Sequence, residues 1–176
     1  MRGFGITAAA ARAVPEAFVP VLVVVTGLGD PVFVAAVVTL AYWIGPRYDL
    51  FDRRTGATVV AVTYVALATT VLLKAGFAMP RPPVETMLIP EDGAGFPSGH
   101  ATGATAAYVA LAVFVERGSA RLRYGVASAL VLIVALSRVF LGVHYLVDVL
   151  AGIAVGLLTL AAVRFVAKSS LAQAFA

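Results

Sequence analysis

Residues 137–166 read SRVFLGVHYLVDVLAGIAVGLLTLAAVRFV, and the two ends of this run have opposite characters. From 146 to 166 it is apolar apart from Asp148 and Arg164. That is about the twenty residues a helix needs to cross hydrocarbon. Its head carries Ser137-Arg138-x5-His144-x3-Asp148. Ionisable groups within such a segment are expensive in a bilayer, so their presence marks function by default. The run predicts a membrane helix with a polar site at its head.

The rest of the chain agrees. Its 176 residues are 61% hydrophobic and 12% charged, with a mean hydropathy of +0.99. A soluble domain would be roughly 25% charged. Further apolar stretches run 31–46, 57–76, 101–115 and 123–140, and a sixth candidate at 14–28 carries Pro15 and Pro20 near its start and either spans or lies half-embedded. The expected fold is an all-α integral membrane bundle of five or six transmembrane helices, one domain over 1–176. Gly45-Pro46, Asp52 to Gly56 and Gly118-Ser119 mark helix ends. No cleavable signal peptide is evident in the first fifteen residues. With no cysteine, disulfides, thiolate metal sites and cysteine nucleophiles are excluded. A net charge of +4 on such a chain points to orientation and anionic headgroups, not nucleic acid.

Two more polar stretches fall at helix ends: Lys74-x6-Arg81-Pro82 and Pro97-Ser98-Gly99-His100. Up-and-down threading puts all three motifs at one pole. Arg47, Arg53, Arg54, Arg117, Arg121, Arg123, Arg164 and Lys168 collect at the other, joined by Arg2 and Arg12 if the first candidate spans. By the positive-inside rule the basic pole is cytoplasmic and the motif pole faces outward.

The motifs hold what phosphoryl transfer to a histidine needs without a metal. Lys74, Arg81 and Arg138 supply three cations, and arginine matches phosphate oxygens bidentately. Ser98 offers a hydroxyl, and Gly99 lets backbone approach an anion where a helix begins. His144 and Asp148 are four apart, hence neighbours on one helix face. A carboxylate on one imidazole nitrogen fixes the tautomer and activates the other, which makes His144 the nucleophile candidate. Both are expected in the opening turns of their helix. His100, with no such partner, is the natural general acid and later the activator of water. Each motif alone has an ordinary reading: a helix stop with a snorkelling arginine, a turn with an N-cap serine, an incidental polar pair, a headgroup-anchoring lysine. Their convergence at one pole in this order favours a site. Glu85, Glu91 and Asp92, in the long 77–99 connection, read as solvated acids without a catalytic role, and Asp30 as a turn residue on the outer face.

The segments KAGFAMPRP, PSGH and SRVFLGVHYLVD resemble the three signature motifs of the type 2 phosphatidate phosphatase superfamily, the membrane-bound lipid phosphate phosphatases. They match in residue type, internal spacing and order, over Lys74 to Asp148. The resemblance implies a lipid phosphatase core shared with vanadium haloperoxidases. It implies phosphate binding by Lys74, Arg81, Ser98, Gly99 and Arg138, with His144 as nucleophile, Asp148 as its partner and His100 as general acid. It also implies no cofactor and no metal. The expected activity is hydrolysis of a polyprenyl diphosphate, phosphatidate or phosphatidylglycerol phosphate at the outer leaflet, with a lean by analogy towards the first. The expected partners are the lipid phosphate substrate and membrane lipids, with no nucleic acid; a homo-oligomer stays compatible. The alternatives are a phosphotransferase of the same fold and a non-catalytic anion-binding membrane protein.

Overall fold

The computed structural model describes residues 4–174, with side chains described for 5–167. Eight α-helices follow in order: α1 Phe4–Arg12, α2 Val19–Gly27, α3 Pro31–Ile44, α4 Arg53–Phe77, α5 Gly99–Ala104, α6 Ala110–Phe114, α7 Ala120–Phe140 and α8 Leu146–Ala174. A π-helical turn, Thr105–Val109, joins α5 to α6, so 99–114 runs as one rod. Among the described residues there is no strand. The all-α membrane bundle expected from the sequence is the fold of the chain.

Three helices are long and apolar enough to cross a bilayer alone: α4, α7 and the first 22 residues of α8. The shorter α3 and the 99–114 rod pack among them. α3 connects the motif pole to the basic pole, since Gly29 abuts His100 at one end while Arg53 stacks 5.1 Å from the Trp43 ring at the other.

The sixth candidate, 14–28, does not cross. Arg12 lines a hollow with Pro83, Glu85, Thr86 and Leu88, and Thr26 bonds Arg138, so both its flanks lie at the motif pole. The helical stretches Gly5–Arg12 and Glu16–Gly27 meet at 94°. The cause is local: Pro15 and Pro20 lack the N–H that a continuous helix would need, and each instead opens a new helical segment. Arg12 therefore does not join the opposite arginines, and Arg2 lies outside the described residues.

The packing is that of a protein in lipid. Val34 and Val38 of α3, Val59, Val62 and Ala66 of α4, Ala106, Ala107 and Ala110, and Leu160 of α8 form a tight buried cluster. Larger apolar side chains point outward instead, with Leu72 72% and Leu158 69% exposed, as suits a lipid-facing surface. At the basic pole, Arg47 donates to the Trp43 carbonyl at the end of α3, and Arg123 to the Ala112 carbonyl in α6. Both guanidiniums thereby satisfy carbonyls that a helix end leaves unpaired.

Gly152 and Gly156 bring α8 against the 99–114 rod. A Cβ at Gly152 would stand 2.6 Å from the Ser98 carbonyl, and one at Gly156 2.7 Å from Thr105 Cβ. Small residues four apart are how membrane helices approach closely. Gly152→Val is expected to lower the thermal midpoint in detergent, by an overpacking cost of about 1–3 kcal/mol. Gly125→Ala, on the open face of α7 with nothing within 4 Å, is expected to be neutral or slightly stabilising. Equal midpoints for the two variants would disprove the close α5–α8 contact.

Candidate active site

The motif pole gathers side chains from four places: the end of α4, the 78–98 connection, the head of α5, and the α7–α8 turn. Lys74, in the last turn of α4, donates to the Ala94 carbonyl. Arg81 spreads across four partners, His144 among them. Its Nε donates to the Asp92 carbonyl at 3.0 Å, its Nη1 to the Val143 carbonyl at 3.1 Å, and its Nη2 pairs with Glu91 Oε2 at 2.9 Å. Arg138 is buried at the end of α7, donating to Thr26 Oγ1 at 3.1 Å and pairing with Glu91 Oε1 at 2.6 Å. Its Nε is buried without a hydrogen-bond partner.

His144 lies in the turn between α7 and α8, two residues before α8 begins, and not inside the helix as expected. The cause is Gly142, whose φ of 72° turns the chain after α7. A Cβ there would overlap the Thr86 carbonyl, so only glycine fits both the conformation and the contact. The His144–Asp148 pairing survives this shift: Nδ1 lies 3.5 Å from Asp148 Oδ2, long for a hydrogen bond but close for charge. The same Oδ2 accepts from the Tyr145 N–H at 2.9 Å, which fixes the carboxylate at the start of α8.

On the other side of the ring, Arg81 Nη1 is 3.1 Å from His144 Nε2. A guanidinium only donates, so Nε2 must accept and carry no proton. The remaining ring proton then sits on Nδ1, towards Asp148. That tautomer leaves a lone pair on Nε2, as a nucleophile requires. Burial pushes the His144 pKa down to about 4; Asp148 opposes the shift, and the cations of Arg138, Arg81 and Lys74 reinforce it.

Ser98 is buried and caps α5, its Oγ accepting from the Ala101 N–H at 3.4 Å, with its own N–H on the Asp148 carbonyl at 2.9 Å. Its hydroxyl proton stays uncommitted. Gly99 opens α5, and His100 follows with electrostatic neighbours Arg138, Glu91, Asp30 and His144. Every expected site residue thus lies at one pole. Asp30 caps α3 through the N–H groups of Val32 and Phe33.

Glu91 corrects the sequence reading. Instead of a solvated acid, it bridges Arg81 and Arg138 at the centre of the cluster. Half-burial alone would raise its pKa, but the facing Arg138 and Arg81 hold its carboxyl below the ordinary glutamate range. Glu85 and Asp92 side chains are exposed, as expected. Sequence reasoning also missed Thr26, which supports Arg138, and Thr7, whose hydroxyl donates to the His144 carbonyl at 3.3 Å. Only Glu91 left a signal: three cations closing on one site require a counter-charge, and the 77–99 connection carries one within reach.

The sequence model of the PAP2 superfamily matches residues 55–170. This chain belongs to that superfamily. It is 36% identical over 77 residues to phosphatidylglycerophosphatase B of Bacillus subtilis (strain 168), a match covering 40% of this chain and 38% of that protein. In three dimensions it is similar to the transmembrane PAP2-type phosphatidylglycerolphosphate phosphatase of Bacillus subtilis. That likeness has a TM-score of 0.84 and 25% identity over 95% of this chain and 85% of the other. LpxE of Aquifex aeolicus shares the fold, with a TM-score of 0.75 and 16% identity over 92% of this chain and 93% of its own.

His144 gives a direct test, because His100→Asn leaves it the sole histidine of a chain that has two. Imidazole nitrogen NMR of that variant should show one neutral tautomer, protonated on Nδ1, with no titration until pH about 4. An unfolded histidine titrates near 6.5, so this group's contribution to folding stability should fall as pH drops from about 6.5 towards 4. A midpoint near 6.5 in the folded protein would refute the buried, proton-poor His144.

Proposed function

We propose that this PAP2 protein hydrolyses the terminal phosphate of a membrane lipid through a phosphohistidine, at the outer face of the membrane. The observation that carries the proposal is that Arg81 and Arg138 converge on one carboxylate, Glu91, while Arg81 also meets the unprotonated Nε2 of His144. Arg81 and Arg138, with Lys74 beside them, would hold the phosphate oxygens, and Ser98 and the head of α5 would complete the cradle. Nε2 attacks phosphorus, forming the N–P bond as the P–O bond to the lipid breaks. His100 gives a proton to the departing oxygen. Water, losing a proton to His100, then forms a new P–O bond; the N–P bond breaks and inorganic phosphate leaves. Asp148 steadies the ring by facing Nδ1. Positioning and charge supply most of what such a transfer needs, so the proposed reaction requires no metal.

Charge supports the orientation. Seven arginines with described side chains, 47, 53, 54, 117, 121, 123 and 164, belong to the pole away from the site, a bias that favours a cytoplasmic position for that pole. The name of the Bacillus subtilis phosphatase, matched in sequence and in structure, makes phosphatidylglycerol phosphate the first substrate to test. Polyprenyl diphosphate, the lean of the sequence reading, becomes the second, and phosphatidate the third.

Detergent-purified protein with EDTA present should release phosphate from at least one of these lipids. His144→Ala should abolish release, and Arg138→Ala should cut kcat/KM by roughly 100-fold or more, as the loss of a preorganised donor to transition-state charge does. A phosphotransferase would label a lipid acceptor instead of releasing phosphate. Folded wild-type protein that acts on none of the three lipids would leave the anion-binding alternative.

A further inference from the structure

Glu91 has its two carboxylate oxygens on two different guanidiniums, Oε1 on Arg138 and Oε2 on Arg81. A phosphoryl group bridging the same pair would use the same donors. The Arg81 guanidinium that Glu91 occupies also sets Nη1 3.1 Å from His144 Nε2, so the lone pair of the proposed nucleophile is engaged. Cradle and nucleophile thus share one occupied guanidinium, that of Arg81.

The surrounding backbone is built for a small release. On one side, Thr86 lies against Gly142 and the Leu88 N–H bonds the Leu141 carbonyl at 2.9 Å. On the other, the Ala94 carbonyl takes Lys74 and the Gly95 N–H bonds the Met79 carbonyl at 2.8 Å. Between these seams lies only the tip 89–93, which ends at exposed Gly93 with a φ of 76°. Glycine tolerates changes of φ that other residues resist. The tip makes its described polar contacts to the site through the Glu91 carboxylate and the Asp92 carbonyl alone.

We propose that Glu91 is a built-in competitor for the phosphate seat, which admits a dianionic terminal phosphate and turns away the singly charged phosphodiesters of ordinary membrane lipids. The inference rests on the Arg81–Arg138 pair being the phosphate seat, as proposed above. Charge decides the exchange. A terminal phosphate brings about two negative charges to two guanidiniums and gains over the single charge of the carboxylate. A phosphodiester brings one charge, has no Coulombic advantage, and must also displace a ligand already tethered beside the seat at high effective concentration. A site open to a bilayer meets phosphodiester headgroups in great excess, so such a filter matters there.

Glu91→Gln keeps the shape and removes the charge, and Glu91→Ala serves as a second variant should the amide hydrogen-bond in place. Two readouts apply: thermal stabilisation by orthovanadate in detergent, which needs no turnover, and inhibition of lipid phosphate hydrolysis by phosphatidylglycerol in mixed micelles. Both variants should bind orthovanadate about tenfold more tightly, as removal of a competing charge predicts. They should also become sensitive to phosphatidylglycerol at concentrations the wild type ignores. Unchanged or weaker vanadate binding would overturn the inference, as would a fall in kcat with KM unmoved, which would make Glu91 an aid to the chemistry instead. Tighter vanadate binding in variants of a protein that hydrolyses no lipid would sink the phosphatase proposal and uphold the competitor. No vanadate binding by any form would sink both.

Discussion

Three cations converge at one end of an apolar bundle, and the rest of the site is arranged around their mutual repulsion. Lys74, Arg81 and Arg138 come from α4, the connection after it and α7, so no single helix could separate them by length. In water their repulsion would be screened; beside buried helices it is not. The structure answers with oxygen atoms. The carbonyls of Ala94, Asp92 and Val143, the hydroxyl of Thr26 and the carboxylate of Glu91 each take a donor. Most come from outside regular helix, because helix carbonyls are already spent within the helix. This explains why the 78–98 connection is long and irregular: it carries acceptors to cations that helices alone could not satisfy.

The same requirement gives the N-terminal segment its place. Its bend lets it stay at the motif pole, where Thr7 holds the His144 carbonyl from one side and Thr26 holds Arg138 from another. A straight helix through 4–28 would have carried one of these threonines about 28 Å from the other along its axis. Pro15 and Pro20 thus position the catalytic candidates indirectly, by folding a short apolar segment back upon the site.

Much of this was legible in the sequence, and the boundary is physical. Helix existence follows from long apolar runs bounded by Gly45-Pro46 and Gly118-Ser119, and the shared pole of the motifs follows from counting crossings between them. Open alternatives and failures alike came where one chemistry serves two structures. Residues 14–28 have the composition of a span, and composition alone does not distinguish crossing from folding back. His-x3-Asp is a helical spacing, yet Gly142 keeps His144 in a turn and the pair meets across the first turn of α8 instead. Glu91 looks identical to Glu85 in sequence, two acids in one loop, and only the fold separates the one beneath the arginines from the one beside open solvent.

Glu91 also ties stability to access. Arg138 is buried, and a buried cation without its counter-charge is strongly unfavourable. An empty cradle of three cations would therefore be a poor ground state, prone to spread apart or to draw in whatever anion lay nearest. A tethered carboxylate keeps the guanidiniums at the spacing that a bridging oxyanion needs, so the cradle is preorganised before the ligand arrives. Preorganisation of this kind lowers the reorganisation required at the moment of reaction, and the cost is a competitor that must leave. Loose attachment at 89–93, between seams that stay closed, keeps that cost local: the tip can move while Gly142, Leu141 and the His144 they position remain where they are.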